Sequence, residues 1–400
     1  MTLKNLIFFI MTRKSSLQRD LDRFFKTLRQ SDFNIREVTK GALSKSRSNL
    51  NPEAFKRLND VGVKTFYNEV DYDVWGVDAH RVLAIDGSRL MLPDHPTVKE
   101  EFGEHGFGPN GDSVRSLALC SLLYDVLNQV TLDGQIAPYA SSESDLLLKH
   151  LDRTRKGDLL LLDRGYPSFW LLFLLKAKGL EFCVRLKDNW WLKVKDFVKS
   201  GEKELTVTFR LPKKDRSKLK DYPDCWEEEL TCRLVRVELE DGSVEVLCTS
   251  LLDAEKYPNE SFPVLYHFRW GEEEAYKLLK SRIDLEDFSG KTAISVKQDF
   301  YAKMFLMSLC AMYAYPIEEK VRNEYKADEN RKHGQKINRT SALGMTQDML
   351  VGMFLRQQFT KALEAFDDIV LRTREIIRPD RKNERKKKPK RLYYMNYKKL

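Results

Sequence analysis

Long apolar runs are missing from this 400-residue chain. The longest early stretch, Leu6 to Met11, falls far short of the roughly 20 residues that a spanning helix needs, and no small-residue cleavage site follows it. A cytoplasmic protein without a membrane partner is expected. The six cysteines (Cys120, Cys183, Cys225, Cys232, Cys248 and Cys310) include no CxxC pair, which argues against a thiolate metal site, and several sit in apolar strand-like segments as buried free thiols would. The six histidines are scattered, with neither an HExxH motif nor zinc-ligand spacing. No internal repeat is present. Low hydrophobicity is also absent: 42% apolar and 32% charged residues exclude disorder over most of the length.

What is present is an uneven positive charge. Between Arg378 and Leu400 eleven Lys or Arg face two acids, which accounts for the whole net charge of +9 and leaves the rest of the chain near neutral. Such a run, with Arg385, Lys386, Lys387 and Lys388 at its centre, reads as an arm that neutralises phosphates or as a solubilising tail. Interleaved Tyr393, Tyr394 and Tyr397 favour nucleic acid, because they can stack on bases.

Along the chain, residues 17 to 28 carry apolar side chains at helical spacing. A second helix is predicted after Thr39, and a third from Asn51 with Pro52 at its first position. The middle helix exposes Lys45 and Arg47, so the three make a candidate DNA-binding bundle, although many such bundles have no DNA partner. From His80 the pattern becomes α/β. A strand ends at Asp86 before a Gly-containing turn; strands follow at Ser116 to Leu123 and Val130 to Ala137, then a helix from Ser142 to Leu151. Strand Leu159 to Asp163, helix Pro167 to Lys178 and strand Glu181 to Leu186 form a βαβ unit, which calls for parallel pairing. From Lys187 to about Glu260 the residues alternate with a period of two, and no helix of useful length fits there. Asp241 and Gly242 mark a hairpin turn in this stretch. Two further helices are predicted over Lys297 to Tyr315 and Met345 to Asp368.

The segment YHFRWGEEEAYKLLK, residues 266 to 280, reads as a single helix. At 100° per residue, Tyr266, Arg269, Glu273 and Lys280 fall within an arc of about 60°, and Glu272 and Glu274 fall outside it. Glu273 is therefore the carboxylate that shares a face with two cations. A solvated face with i,i+4 charge pairs would look the same. Two strand-end aspartates, Asp86 in AIDGS and Asp163 in LLDRGY, stand where open α/β sheets place functional groups, although an Asp before Gly is often only a turn residue. Three converging carboxylates repel one another unless a cation neutralises them. Oxygen-only ligands favour Mg²⁺ or Mn²⁺, and two such ions support phosphoryl transfer on a polynucleotide. Arg269 and Lys280 would hold phosphates.

These residues carry a resemblance. The spacing Tyr266-x2-Arg269-x3-Glu273-x6-Lys280, with IDGSRLMLPD and LLLDRGYPS upstream, is similar to the signature of bacterial insertion-sequence DDE transposases of the insertion-sequence-four superfamily. The resemblance runs from about Leu43 to the basic tail. It implies an RNase H-like catalytic core interrupted by a β-rich insertion, with a helical N-terminal DNA-binding domain and a helical C-terminal region ending in the tail. The implied division is 1–75, 76–188, 189–261, 262–320 and 321–400. Asp86, Asp163 and Glu273 would be the metal ligands, and Tyr266, Arg269 and Lys280 would contact the transposon end, with Arg164 beside the second aspartate. Trp270 would stack on an unstacked base or pack in the core; Trp190 and Trp191 are rivals for the stacking role. One departure is visible: Glu272 occupies a place where the family commonly has a branched aliphatic residue. The expected activity is Mg²⁺-dependent cleavage and transfer of double-stranded DNA ends by a homodimer, with a hairpin step as a further implication. A metal-dependent nuclease on the same fold and a non-catalytic DNA-binding protein are the alternatives.

Overall fold

A computed structural model of the chain describes residues 1–107, 113–187, 191–222, 225, 228–239, 242–327 and 332–378. The chain forms two compact units. One comprises Met1–Phe66, Leu90–Ala118 and Leu278–Leu400, and the other Tyr67–Arg89 and Leu119–Lys277.

The first unit is mainly helical. It contains α1 (Leu3–Thr12), α2 (Leu17–Arg29), α3 (Lys40–Arg47) and most of α4 (Glu53–Glu69). Thr2 and Thr39 cap α1 and α3 by accepting from the backbone N–H three residues on, which satisfies donors that a helix start leaves free. The short α1 is not among the expected helices, because its apolar run reads equally well as a buried strand. Phe9, Leu21, Phe24 and Phe25 are buried, with Phe9 and Phe24 packed edge to face. The same unit holds α5 (Pro96–Phe102), the ribbon of β2 (His105–Phe107) and β3 (Ser113–Arg115), α11 (Ala293–Ala327), the ribbon of β11 (Gln335–Lys336) and β12 (Glu375–Ile376), α12 (Arg339–Leu350) and α13 (Phe359–Arg372). The single helix expected over Met345 to Asp368 is instead α12, one π turn at Val351–Leu355 and α13, a division that apolar periodicity does not reveal.

The central sheet is mixed and eight-stranded. It comprises β1 (Val82–Met91), β4 (Leu117–Asp125), β5 (Val130–Pro138), β6 (Leu159–Leu162), β7 (Glu181–Leu186), β8 (Glu204–Arg210), β9 (Glu229–Glu238) and β10 (Val244–Thr249), in the order β5-β4-β1-β6-β7-β10-β9-β8. β1, β6 and β7 are parallel, as the βαβ pattern requires. Val82 to Ile85 and Leu159 to Leu162 are fully buried, the unbroken apolar run of parallel strands covered on both faces. Helices α6 (Glu143–His150), α7 (Phe169–Ala177), α8 (Leu192–Ser200) and α9 (Ser261–His267), with most of α10 (Trp270–Ser281), complete the second unit.

Three sequence expectations need correcting here. β1 does not stop at Asp86; it runs on through Gly87 to Met91. The segment 189–261 does contain a helix, α8, which buries Val194 and Phe197 and ends at Gly201 in the left-handed region (φ +74°). The strands of that segment also continue the central sheet, since β10 pairs antiparallel with β7. Finally, residues 266 to 280 are not one helix: α9 ends at His267, turns at Phe268 and Arg269 follow, and α10 starts at Trp270. Among the described residues no helix is long and apolar enough to cross a membrane.

Candidate active site

The parallel pairing of β1 with β6 ends at Ile85 opposite Leu162. Asp86 and Asp163 are the next residues on each strand, so both carboxylates emerge at the carboxyl edge of adjacent parallel strands, where the ladder stops and side chains are free to act. The break between α9 and α10 brings up the remaining groups. Arg269, in the break, is buried; its Nη2 donates to Glu273 Oε1 at 3.1 Å and its Nη1 lies 4.0 Å from Asp86 Oδ2. Tyr266, also buried, places its hydroxyl 3.5 Å from Asp163 Oδ1 and 3.4 Å from the Leu162 carbonyl. Asp163 is paired with Arg185 at 2.9 Å. All of these residues belong to the second compact unit.

Asp86 is held by its backbone as well. Its N–H donates to Glu272 Oε1 at 2.7 Å, and its carbonyl accepts from the Tyr276 hydroxyl at 3.0 Å. Glu272 and Tyr276 are i,i+4 on α10, so one face of that helix grips the peptide of the first aspartate. Glu272 is fully buried, and burial, reinforced by Asp86 nearby, pushes its carboxyl well above the usual range. Gln at this position keeps a carbonyl oxygen to accept from the Asp86 N–H. Glu272→Gln is expected to leave stability within about 0.5 kcal/mol of wild type, whereas Glu272→Leu, which strips the Asp86 N–H of its acceptor, costs about 1–3 kcal/mol in urea unfolding.

Electrostatics mark this edge as a place of crowded negative charge. Burial raises the Asp86 carboxyl, and Asp163 and Glu273 add to the rise against the pull of the Gly87 N–H and Arg269. Burial works against the Arg269 charge, yet Tyr266, Asp163, Glu273 and Asp86 together hold its pKa above the ordinary value. Glu143, the first residue of α6, belongs to the same cluster: burial raises it first, then Asp86 and Asp163. Nothing in the local sequence separates Glu143 from an ordinary first-turn acid at a helix start, so sequence reasoning missed it.

Only oxygen donors face one another here, the chemistry that suits a hard divalent cation. As they stand, no three His, Cys, Asp or Glu side chains among the described residues are drawn together tightly enough to hold an ion. Arg269 and Arg185 instead partner Glu273 and Asp163. Four buried polar atoms among these residues are nonetheless left without a partner: Glu272 Oε2, the Tyr166 hydroxyl, Arg269 Nε and Arg185 Nε. Buried groups of this kind are normally satisfied by protein or water.

The other expected residues divide. Trp270 is 43% exposed, with the Arg269 guanidinium over its ring at 5.7 Å, so it is not a core residue. Arg164 and Lys45 are exposed, and Lys280 is half-buried in the last turn of α10. Trp191 stacks on Phe169 with ring centroids 4.2 Å apart and meets Phe209 edge-on at 5.1 Å, so its ring is engaged inside the protein. Arg47 is a correction. It is buried, its guanidinium bonded to Asp299 at 2.6 Å, the Ser295 carbonyl at 2.9 Å, Gln298 and Ser289, so four of its five N–H donors are used inside the protein and it does not present itself to a phosphate. The Arg lies on the inward face of α3, a choice of face that an eight-residue helix of about two turns does not disclose. Trp190, Arg385, Lys386, Lys387 and Lys388 lie outside the described residues.

The chain is similar to known transposases. The family model described as the transposase DDE domain matches residues 78–310. The chain is 24% identical over 246 residues to the transposase InsG for insertion sequence element IS4 of Escherichia coli (strain K12), covering 61% of this chain and 53% of that one. It is 21% identical over 302 residues to the transposase for insertion sequence element IS231F of Bacillus thuringiensis subsp. israelensis, covering 65% and 62%. The chain thus spans between half and two thirds of the length of these relatives. A solved piggyBac transposase synaptic complex with hairpin DNA aligns over 92% of this chain and 74% of that one, at 11% identity and a TM-score of 0.43, too loose a likeness to build on.

Proposed function

Because the chain belongs to the transposase DDE domain family, we propose that it is a DNA transposase, which cleaves the inverted-repeat ends of its insertion sequence and joins them to target DNA. The observation that carries this reading is that Asp86 and Glu273 lie 4.0 and 3.1 Å from Arg269, with Asp163 within its electrostatic reach, at the carboxyl edge of β1 and β6. The eight-stranded mixed sheet with a parallel centre supports an RNase H-like core. The five-part division of the chain, with the segment 189–261 as an insertion and the N-terminal helices and tail as DNA-binding parts, belongs to the same proposal, as does pairing of two ends by a homodimer.

Asp86, Asp163 and Glu273 would hold Mg²⁺, or Mn²⁺ in its place. When bound, the ions would supply a nucleophile at neutral pH and stabilise the oxygen that leaves the phosphate. The side chains account for the rest. Arg269 would exchange its carboxylate partners for a phosphate oxygen, and its unpartnered Nε supplies a second donor for a bidentate grip. Tyr266, its phenol held protonated by burial, would donate to a phosphate oxygen from that position or orient Asp163. Glu272 and Tyr276 fix the Asp86 backbone while its carboxylate works. Trp270, exposed beside Arg269, offers a face for a base displaced next to the cut, the place where a hairpin route would need one.

Tail removal tests the DNA-binding part of this proposal. A chain ending before Arg378 loses eleven Lys or Arg. It is expected to bind DNA more weakly and with a shallower dependence on salt, by about 0.9 in the log–log slope for each phosphate that the tail no longer neutralises. Fluorescence anisotropy at several salt concentrations measures this; an unchanged slope would make the tail a bystander. The reaction itself is read by incubating the protein with its own end DNA, Mg²⁺ and a target plasmid, where joined products are expected and cut-only products would favour a nuclease.

A further inference from the structure

We propose that Glu143 is a fourth carboxylate of the site, contributing an oxygen ligand to a divalent cation held between Asp86 and Asp163. This rests on the phosphoryl-transfer reading above and extends it to a residue outside the expected triad.

The case begins with two glycines. Gly87 directly follows Asp86, and Gly165 lies two residues after Asp163. A Cβ added at Gly87 would stand 2.6 Å from Glu143 Oε1 and 2.9 Å from its Cγ and Cδ; one added at Gly165 would meet Oε2 at 3.8 Å. The Glu143 carboxylate therefore spans the gap between the two aspartate-bearing segments. Each of its oxygens faces one of them. Gly87 is left bare in the middle of a strand, where glycine costs stability and its dihedrals do not require it, and close approach of a neighbouring group is what such a residue commonly serves. The neighbour here is this carboxylate.

A second observation points to a ligand. The Tyr166 hydroxyl, 2% exposed, and Glu272 Oε2, fully buried, have no hydrogen-bond partner. Both lie within electrostatic reach of the same acids: Tyr166 feels Glu143, Glu272, Asp86 and Asp163, and Glu272 feels Asp86 and Glu273. A hydrated cation between these carboxylates would offset their charge, and its water ligands could donate to the orphan oxygens. Mg²⁺ and Mn²⁺ require about six oxygens, so a fourth protein carboxylate has a place in such a shell alongside water.

Titration of Mn²⁺ into the full-length protein without DNA, followed by electron paramagnetic resonance of the free ion, reads binding apart from catalysis. Wild type should hold Mn²⁺, and Glu143→Gln should weaken it by at least about tenfold, the scale on which metal-site groups act. Gly87→Ala, which pushes the flexible Glu143 carboxylate aside without removing any acid, should weaken it too, and should add little in the Glu143→Gln background. Should Glu143→Gln fail to fold, as circular dichroism would show, Gly87→Ala alone decides. Wild-type affinity in the folded variants, with Asp86→Asn weakened, would overturn this inference and leave the proposed function standing. A wild-type protein that holds no Mn²⁺, or whose affinity ignores both Asp86→Asn and Asp163→Asn, would remove the cation site itself.

Discussion

Glu273→Gln is expected to lower the rate of end cleavage by about a thousandfold or more while leaving affinity for end DNA within a few-fold of wild type. The size follows from the several kcal/mol of transition-state charge stabilisation that removing a cation ligand takes away, at 1.36 kcal/mol per factor of ten. The selectivity follows from position. Glu273 is the carboxylate on α10 that reaches Arg269 and stands within the influence of Asp86, whereas Glu272 points inward to the Asp86 N–H and Glu274 is an exposed partner of Lys277. Glu274→Gln should therefore cleave normally. Single-turnover cleavage of labelled end DNA, paired with gel-shift binding, separates the three glutamates. Retained cleavage in Glu273→Gln, with loss in Glu274→Gln, would move the chemistry to the other face of the helix.

The second large effect is on stability. Arg47→Ala should cost about 3–5 kcal/mol, because it leaves Asp299 buried with its main positive partner removed. Asp299 is 3% exposed and also accepts from the Ser289 N–H, so neither water nor a rearranged side chain restores the balance cheaply. The urea midpoint should fall with little change in slope. Lys45→Ala, two residues away on the exposed face of α3, should leave stability within about 0.5 kcal/mol and show itself only as weaker, less salt-sensitive DNA binding. An Arg47→Ala protein of wild-type stability with impaired DNA binding would return that arginine to the nucleic-acid interface.

These two residues show what a linear sequence discloses. The strands bearing Asp86 and Asp163 are legible because parallel strands covered on both faces must be continuously apolar, and LLLL before Asp163 has few other readings. Glu273 is legible because helical periodicity ties it to Arg269 and Lys280 across short separations. The helix is in fact broken at Phe268 and Arg269, yet tight turns there keep Tyr266, Arg269 and Glu273 together, so the break does not scatter the group. Arg47 is misplaced by sequence because periodicity gives the faces of a helix but not which of them the core takes. Glu143 and Tyr166 are invisible for a different reason. Their significance lies in contacts between segments distant along the chain, and neither carries a local signal that distinguishes it from a helix-start acid or a core tyrosine. Glu272 stands out in the sequence as a departure from the family pattern; its burial turns that departure into a contact that fixes Asp86 in place.

Strand transfer is the most direct measure of the whole account. Purified protein, DNA carrying its own inverted-repeat ends, Mg²⁺ and a supercoiled target plasmid should yield end DNA covalently joined to the target. Asp86→Asn, Asp163→Asn and Glu273→Gln should each abolish that product while still binding the ends. Joined product undiminished in any one of those three variants would contradict a site built on Asp86, Asp163 and Glu273.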